Sequence, residues 1–221
     1  MYFPVEFRVA QKKVGITFDN RDAVLSEISP RSEKQTELKT NLERLISNYM
    51  TANAEDRKNG LRAMIVYGAE GRGKSYLCSG AVNEIMRLAY NKENEKENPQ
   101  FDTVLEGVAL YLTHYELDLQ EKSCMSPKAP RTQYEQYQRV TGVPFLVIDE
   151  IGRGSWSDYS AQNIENVISK RYAQCLPTVL ITNKTTPEIV KMFDRSTRDR
   201  LFNGKTGIGI DMDDGQNKSF R

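Results

Sequence analysis

Histidine occurs once in this 221-residue chain, as His114, and cysteine three times, as Cys78, Cys124 and Cys175. The cysteines lie far apart and form no CxxC pair, and His114 has no partner at ligand spacing. The pattern argues against a zinc site, and free thiols fit a reducing compartment. Charge of one sign is also missing: 31 Lys and Arg oppose 30 Asp and Glu. Any basic surface for nucleic acid must therefore be local. No apolar run approaches the ~20 residues that span a bilayer. The opening MYFPVEFRVAQKK lacks the uninterrupted apolar stretch of a signal peptide. These absences predict a cytoplasmic protein with no membrane partner. What is present suffices for a core, since 38% of the residues are hydrophobic, at a length that accommodates one large or two small domains.

Residues 1–62 are charged and mixed, and are expected to form an N-terminal segment that packs on, or links to, the remainder. Leu38, Leu42, Leu45, Ile46 and Tyr49 fall at helical spacing behind Ser32 and Gln35, which resemble a capping box. That predicts a helix from about 33 to 52. Residues 63–221 alternate strands and helices and read as one domain. The expected strands are 64–68, 107–112, 144–149, 178–182 and 207–211. Helices are expected from Ser75 to Ala89, His114 to about Lys122, Gln133 to Val140, Ala161 to Cys175, and Pro187 to about Phe202. Residues 91–102 read as a polar surface loop. The alternation predicts an α/β fold, with a five-stranded parallel sheet covered by helices on both faces.

The apolar run MIVYG leads into Gly68-Ala69-Glu70-Gly71-Arg72-Gly73-Lys74-Ser75, which fits G-x-x-x-x-G-K-[ST]. The glycines let backbone N–H groups turn toward phosphate oxygens, and the helix after them offers its N-terminus to the same anion. These eight residues and Tyr76 are the candidate nucleotide-binding set. Lys74 is expected to reach the β- and γ-phosphates and Ser75 to ligate Mg²⁺. An acidic Glu70 would repel a triphosphate, so it is expected to point to solvent.

FLVIDE ends an unbroken apolar strand in two carboxylates. Ligands of open α/β sheets bind at the carboxyl ends of the strands, which sets Asp149 beside the phosphate loop as a metal ligand. Glu150 then reads as the general base for water; a solvated acidic turn is the alternative. Asn183 comes directly after the strand TVLIT. It is expected to orient the water if that strand neighbours the one ending in Asp149, and otherwise caps a turn. Arg195, Arg198 and Arg200 lie in a stretch, Lys191 to Lys205, with five basic and two acidic residues. Either they complement a helix dipole, or one of them, Arg200 first, completes a neighbouring subunit's nucleotide site. Asn183-Lys184-Thr185-Thr186 lacks the Asp of a guanine reader, which leaves ATP as the expected nucleotide.

GAEGRGKSYL, FLVIDEIG, SKRYAQCLPTVLITN, STRDRL and a terminal KSFR run in an order that resembles AAA+ ATPases of the DnaC-type replicative helicase loader and IstB-like transposition helper family. KKVGITF resembles the stretch preceding that family's ATPase core. The resemblance implies an AAA+ P-loop core; with ten residues after the last expected strand, the helical lid domain is expected to be absent or minimal. It implies Mg²⁺-dependent ATP hydrolysis, with Lys74, Glu150, Asn183 and Arg200 catalytic, Ser75 and Asp149 on the metal, and Arg221 a second nucleotide-sensing arginine. It further implies a replicative DNA helicase as partner, single-stranded DNA as second ligand, and ATP-dependent homo-oligomers. The short N-terminal stretch suggests a phage or mobile-element version, with helicase contact through Tyr2, Phe3 and Phe7, although these aromatics could equally be buried.

Candidate DNA contacts are Lys122, Lys128, Arg131, Tyr134, Tyr137 and Arg139, or Gly152 to Trp156; ordinary solvated surface is the alternative for each. Three rival functions share parts of this pattern. They are an IstB-like ATPase that assists a transposase, a nucleotide-gated adaptor with little need of hydrolysis, and a small-molecule kinase.

Overall fold

The computed structural model describes residues 3–51, 53–125, 130–154 and 156–213. Five strands, β1 (Ala63–Tyr67), β2 (Ala109–Thr113), β3 (Phe145–Ile151), β4 (Thr178–Thr182) and β5 (Gly207–Asp211), form one sheet in the order β2-β3-β4-β1-β5. Every pairing is parallel, with Ala63 opposite both Thr178 and Gly207 and Ala109 opposite Phe145. Parallel strands need helical crossovers on the sheet faces, which explains why these strands are apolar on both sides.

Two cores result. On one face Met64, Val66, Phe145, Val147, Val179 and Ile181 pack beneath α1 (Val5–Lys13), α2 (Glu33–Thr51), α4 (Lys74–Asn94) and α5 (Phe101–Val108). On the other face Ile65, Leu112, Leu146, Ile148 and Leu180 meet α6 (His114–Cys124), α7 (Arg131–Gly142), α8 (Asp158–Ala173), α9 (Thr186–Met192) and α10 (Arg195–Phe202). Leu38, Leu42 and Leu45 of α2 are fully buried in the first core. Each contributes about 1.5–3 kcal/mol relative to exposure. α3 (Ala54–Asn59) is a short helix capped by the Asn53 side chain, which accepts from the Glu55 and Asp56 backbone N–H groups at 3.0 and 2.9 Å.

Three departures from the sequence reading have local causes. α4 continues through residues read as loop, because Glu93 near its end accepts from the Gln100 backbone at 2.7 Å and Tyr90 stacks on Phe101 at 4.6 Å. α5 then occupies 101–108, so β2 begins at Ala109 and not at Gly107. The helix expected from Pro187 to Phe202 is two. Phe193 turns inward in extended conformation, and Asp194 caps α10 by accepting from the Thr197 backbone at 2.6 Å.

The edge of β2 is covered by the N-terminal segment. The Tyr111 backbone N–H donates to the Val14 carbonyl at 2.7 Å. Gly15, at φ +91°, lies so close that a Cβ there would sit 1.8 Å from the Tyr111 carbonyl oxygen. Phe3 and Phe7 stack at 4.1 Å and are buried, which removes them as surface contacts; Tyr2 lies outside the described residues. No helix among the described residues is long and apolar enough to cross a membrane.

Candidate functional site

Strand order builds the site. β4 lies between β1 and β3, so the residues after β4 fall between the loop after β1 and the acids ending β3. Asn183, directly after β4, therefore shares a cavity of ≈ 310 Å³ with Glu70 to Tyr76, Asp149 and Glu150. The condition set for Asn183 by the sequence, that its strand pair with β3, is met.

The loop is left-handed at Gly68, Gly71 and Gly73, with φ of +114°, +75° and +84°. At Gly73 a Cβ would also meet Nε2 of Gln35 at 2.9 Å. Only glycine takes these conformations without strain, and they turn the backbone around the N-terminus of the 21-residue α4. The Lys74 ammonium is buried and donates to the Gly68 and Ala69 carbonyls, both at 2.6 Å. Burial pulls its pKa below the ordinary lysine range, opposed by Asp149, Asp213 and Glu70. The cradle fits a chain of phosphates, because backbone N–H groups, a helix terminus and one cation converge on it.

Asp149 is buried and both of its oxygens are engaged. Oδ1 accepts from the Glu150 backbone at 2.6 Å, and Oδ2 accepts from the Tyr111 hydroxyl. Burial first, and then the Asp149 charge, push the Tyr111 phenol well above its ordinary range, so it remains a donor. The register between β3 and β4 shifts between Ile148 and Ile151, where Glu150 adopts φ +57°. A bulge of this kind re-aims a side chain at a strand end. The Glu150 carboxylate pairs with Arg153, and its carbonyl accepts from Nδ1 of His114 at 2.8 Å. The Ser75 hydroxyl and the Asp149 carboxylate are hard oxygen donors of the kind Mg²⁺ takes, usually one or two protein ligands alongside phosphate and water. No cluster of three or more His, Cys, Asp or Glu suited to a metal occurs among the described residues.

Glu70 corrects one expectation. It is exposed, yet its carboxylate does not simply face solvent, since Oε1 accepts from Nδ2 of Asn183 at 3.2 Å. Arg72 is buried, its Nε 3.5 Å from Oδ1 of Asp213, and the same oxygen accepts from the Ala69 backbone at 3.0 Å. The two unusual loop residues thus reach the segments after β4 and β5.

The arginines are elsewhere. The Arg200 guanidinium lies over the Tyr172 ring at 5.8 Å, and Arg198 donates to the Val190 carbonyl at 3.2 Å. Arg195 and Arg198 line a separate cleft of ≈ 490 Å³. Arg221, with the rest of KSFR, falls outside the described residues.

Most of the described candidate DNA groups are engaged within the chain. Lys122 sits over Tyr159 at 4.9 Å, Tyr137 bonds to Glu121 and Asn163, Arg139 donates to the Glu106 carbonyl, and Arg131 pairs with Glu135. Tyr134 is exposed, Trp156 packs edge-on against Phe193 at 5.8 Å, and Lys128 and Ser155 are outside the described residues.

Sequence reasoning did not place Arg153, Tyr111 or Gln35 around the phosphate loop and its acids. It also missed a second cavity of ≈ 710 Å³, walled by Ile28 to Arg31 and Gln35, which shares Gly71, Gly73 and Tyr76 with the first. The Ser32–Gln35 signal was the available clue. The Gln35 backbone N–H does bond to Ser32 Oγ at 3.2 Å, but its side chain turns away from the cap, accepting from the Arg31 backbone at 2.9 Å and donating to the Arg72 carbonyl at 3.1 Å.

At the level of sequence, no family model and no curated protein matches the chain. Solved structures do match in fold. The DnaC helicase loader superposes with a TM-score of 0.61 at 16% identity, over 88% of this chain and 99% of that one. DnaI superposes at 0.58 and 17% identity, over 100% and 95%. The replication initiator DnaA bound to AMPPCP and single-stranded DNA superposes at 0.61 and 16% identity, over 89% of this chain and 52% of that one, so the chain spans about half of DnaA. At these identities the likeness is one of fold: a five-stranded parallel α/β domain that matches those of these proteins.

Proposed function

We propose that this chain, built on the AAA+ P-loop core, is an ATPase that loads a replicative DNA helicase, binding single-stranded DNA and assembling with copies of itself. The observation that carries the reading is the convergence of Lys74, Ser75, Asp149, Glu150 and Asn183 on one cavity. The fold shared with a helicase loader, and with an initiator that binds AMPPCP and single-stranded DNA, supports it.

Each residue has a role set by its chemistry. Loop N–H groups from Gly71 to Ser75 hold phosphate oxygens, and Lys74 adds a cation. The larger adjoining cavity offers apolar Ile28, Pro30 and Leu77 beside polar Ser29 and Arg31, a surface suited to the nucleoside. Ser75 and Asp149 hold Mg²⁺, which neutralises charge on the phosphates when bound. Glu150 takes the proton of the attacking water, and the Asn183 amide orients that water. Arg200, which does not line this cavity, acts on a neighbour's site, and Arg221 is assigned to nucleotide sensing.

Three measurements test the reading. Lys74→Ala is expected to lose ATP binding, whereas Glu150→Gln is expected to bind ATP and not turn it over. Capture of the protein from its native host with ATP present is expected to recover a replicative helicase. Recovery of a transposase and no helicase overturns the loader assignment and leaves the ATPase standing. Specific activity that stays constant on dilution to monomer removes the trans role of Arg200.

A further inference from the structure

The hydrolysis groups are engaged with one another's surroundings across the cavity. The amide of Asn183 donates to Glu70 at 3.2 Å, and the carboxylate of Glu150 is ion-paired with Arg153. Glu70 is the third residue of the phosphate loop itself and lines the cavity with Lys74 and Asn183. We propose that Glu70 is a specificity-determining residue: by holding Asn183, it makes the site discriminate between nucleoside tri- and diphosphate. The inference rests on the nucleotide-binding reading of the same cavity.

The physical argument starts from charge. A carboxylate accepting from an amide forms a stronger hydrogen bond than a neutral pair, so even at 3.2 Å on the surface it biases the direction of the Asn183 side chain. A terminal phosphate entering the cavity competes for that donor with an anion of its own. It also repels the Glu70 carboxylate, with which it shares the Lys74 field. The pairing therefore opposes binding of the nucleotide that carries the extra phosphate more than binding of the one that lacks it. Glu70 has a second consequence when displaced, because Asn183 is released only as the triphosphate arrives. The pairing is exposed at the cavity mouth, where exchanging one hydrogen bond for another requires no opening of the core. This gives the acidic residue a role that simple solvation does not.

The test is equilibrium binding of AMPPCP and of ADP, each with Mg²⁺, to the full chain, which separates binding from turnover. Wild-type binding that disappears in Lys74→Ala establishes the cavity as a nucleotide site, whatever Glu70 does. Glu70→Ala is then expected to raise AMPPCP affinity relative to ADP by roughly fivefold, the size of one exchanged hydrogen bond. Glu70→Gln, which keeps an acceptor and removes the charge, is expected to fall between wild type and Glu70→Ala. In an Asn183→Ala background the gain from Glu70→Ala should shrink below about twofold, because the two residues act as a pair. An unchanged ratio in both Glu70 variants overturns the proposal. So does a gain of full size in the Asn183→Ala background, which would mean that Glu70 acts on phosphate without Asn183. Wild type that binds neither nucleotide overturns this proposal and the nucleotide reading together.

Discussion

The Tyr111 hydroxyl donates to Oδ2 of Asp149, so a side chain on β2 steers the carboxylate at the end of β3. Register makes the contact natural: Tyr111 lies opposite Val147, and Asp149, two residues on, emerges on the same face of the sheet. Partners of a metal-holding carboxylate set its orientation, and their loss typically weakens the metal by tenfold or more. Tyr111→Phe is expected to raise the Mg²⁺ concentration at half-saturation of AMPPCP binding about tenfold, and to cost about 1–2 kcal/mol of stability. A Mg²⁺ titration of both proteins decides it, and an unmoved midpoint would show that the bond does not tune the metal site.

Gly15 meets the other side of the same residue. Its left-handed backbone and its approach to the Tyr111 carbonyl leave no room for a methyl group. Gly15→Ala must move the segment off the β2 edge, adding a strained φ to a lost backbone contact. The expected cost is about 2 kcal/mol or more by urea denaturation, with faster proteolysis ahead of residue 20. Wild-type stability in this variant would mean that the edge contact is not formed.

The sheet was legible because parallel strands are apolar on both faces, so MIVYG, FLVID and TVLIT stand out as unbroken runs. The loop and its acids were legible because their spacing is local. α1 was not, because its buried face includes a polar residue. Gln11 is buried and donates to Asn83 at 2.8 Å and to the Arg21 carbonyl at 2.7 Å, a satisfaction that no hydrophobic periodicity reveals. Tyr111, Gln35 and Arg153 were hidden for a related reason. Each enters the site only when chain 30 or more residues away, or the bulge at Glu150, brings it there. Glu70 is the clearest case, since charge alone predicted an outward side chain and tertiary approach supplied Asn183.

SKRY looked like part of a functional signature, and the structure gives Arg171 a structural role. Its side chain is fully buried. The guanidinium donates to the Pro177 carbonyl at 2.6 Å, the Val143 carbonyl at 2.7 Å, Thr178 Oγ1 at 2.9 Å and the Val140 carbonyl at 3.0 Å. These acceptors belong to the segments that start β3 and β4, so one side chain ties together the ends opposite the phosphate-loop cavity. Arg171→Met strands several buried carbonyls at ~1–3 kcal/mol each before relaxation, and a net loss of about 3 kcal/mol is expected. Arg171→Lys should recover only part of it, since an ammonium offers three donors in a compact head where guanidinium offers five in a plane. Chemical denaturation of the two variants checks both statements; a loss below about 1 kcal/mol in Arg171→Met contradicts the account.

Asp194 begins α10, the helix that carries Arg195, Arg198 and Arg200. Its bond from the Thr197 N–H holds the carboxyl below the ordinary aspartate range, with the Arg200 and Arg198 charges adding to the effect. The folded pKa therefore lies below the unfolded one. By linkage, the stabilisation is fully present above the unfolded value and is lost as pH falls through the folded value. Asp194→Ala is expected to cost about 1 kcal/mol near neutral pH, and the gap to wild type should narrow as the solution becomes more acidic than the ordinary aspartate range. Asp194→Asn, an equally good cap that does not titrate, should stay close to wild type at neutral pH. Denaturation curves for the three proteins at neutral and acid pH provide the check. A gap between wild type and Asp194→Ala that keeps its size in acid would assign the stabilisation to something other than the ionised cap.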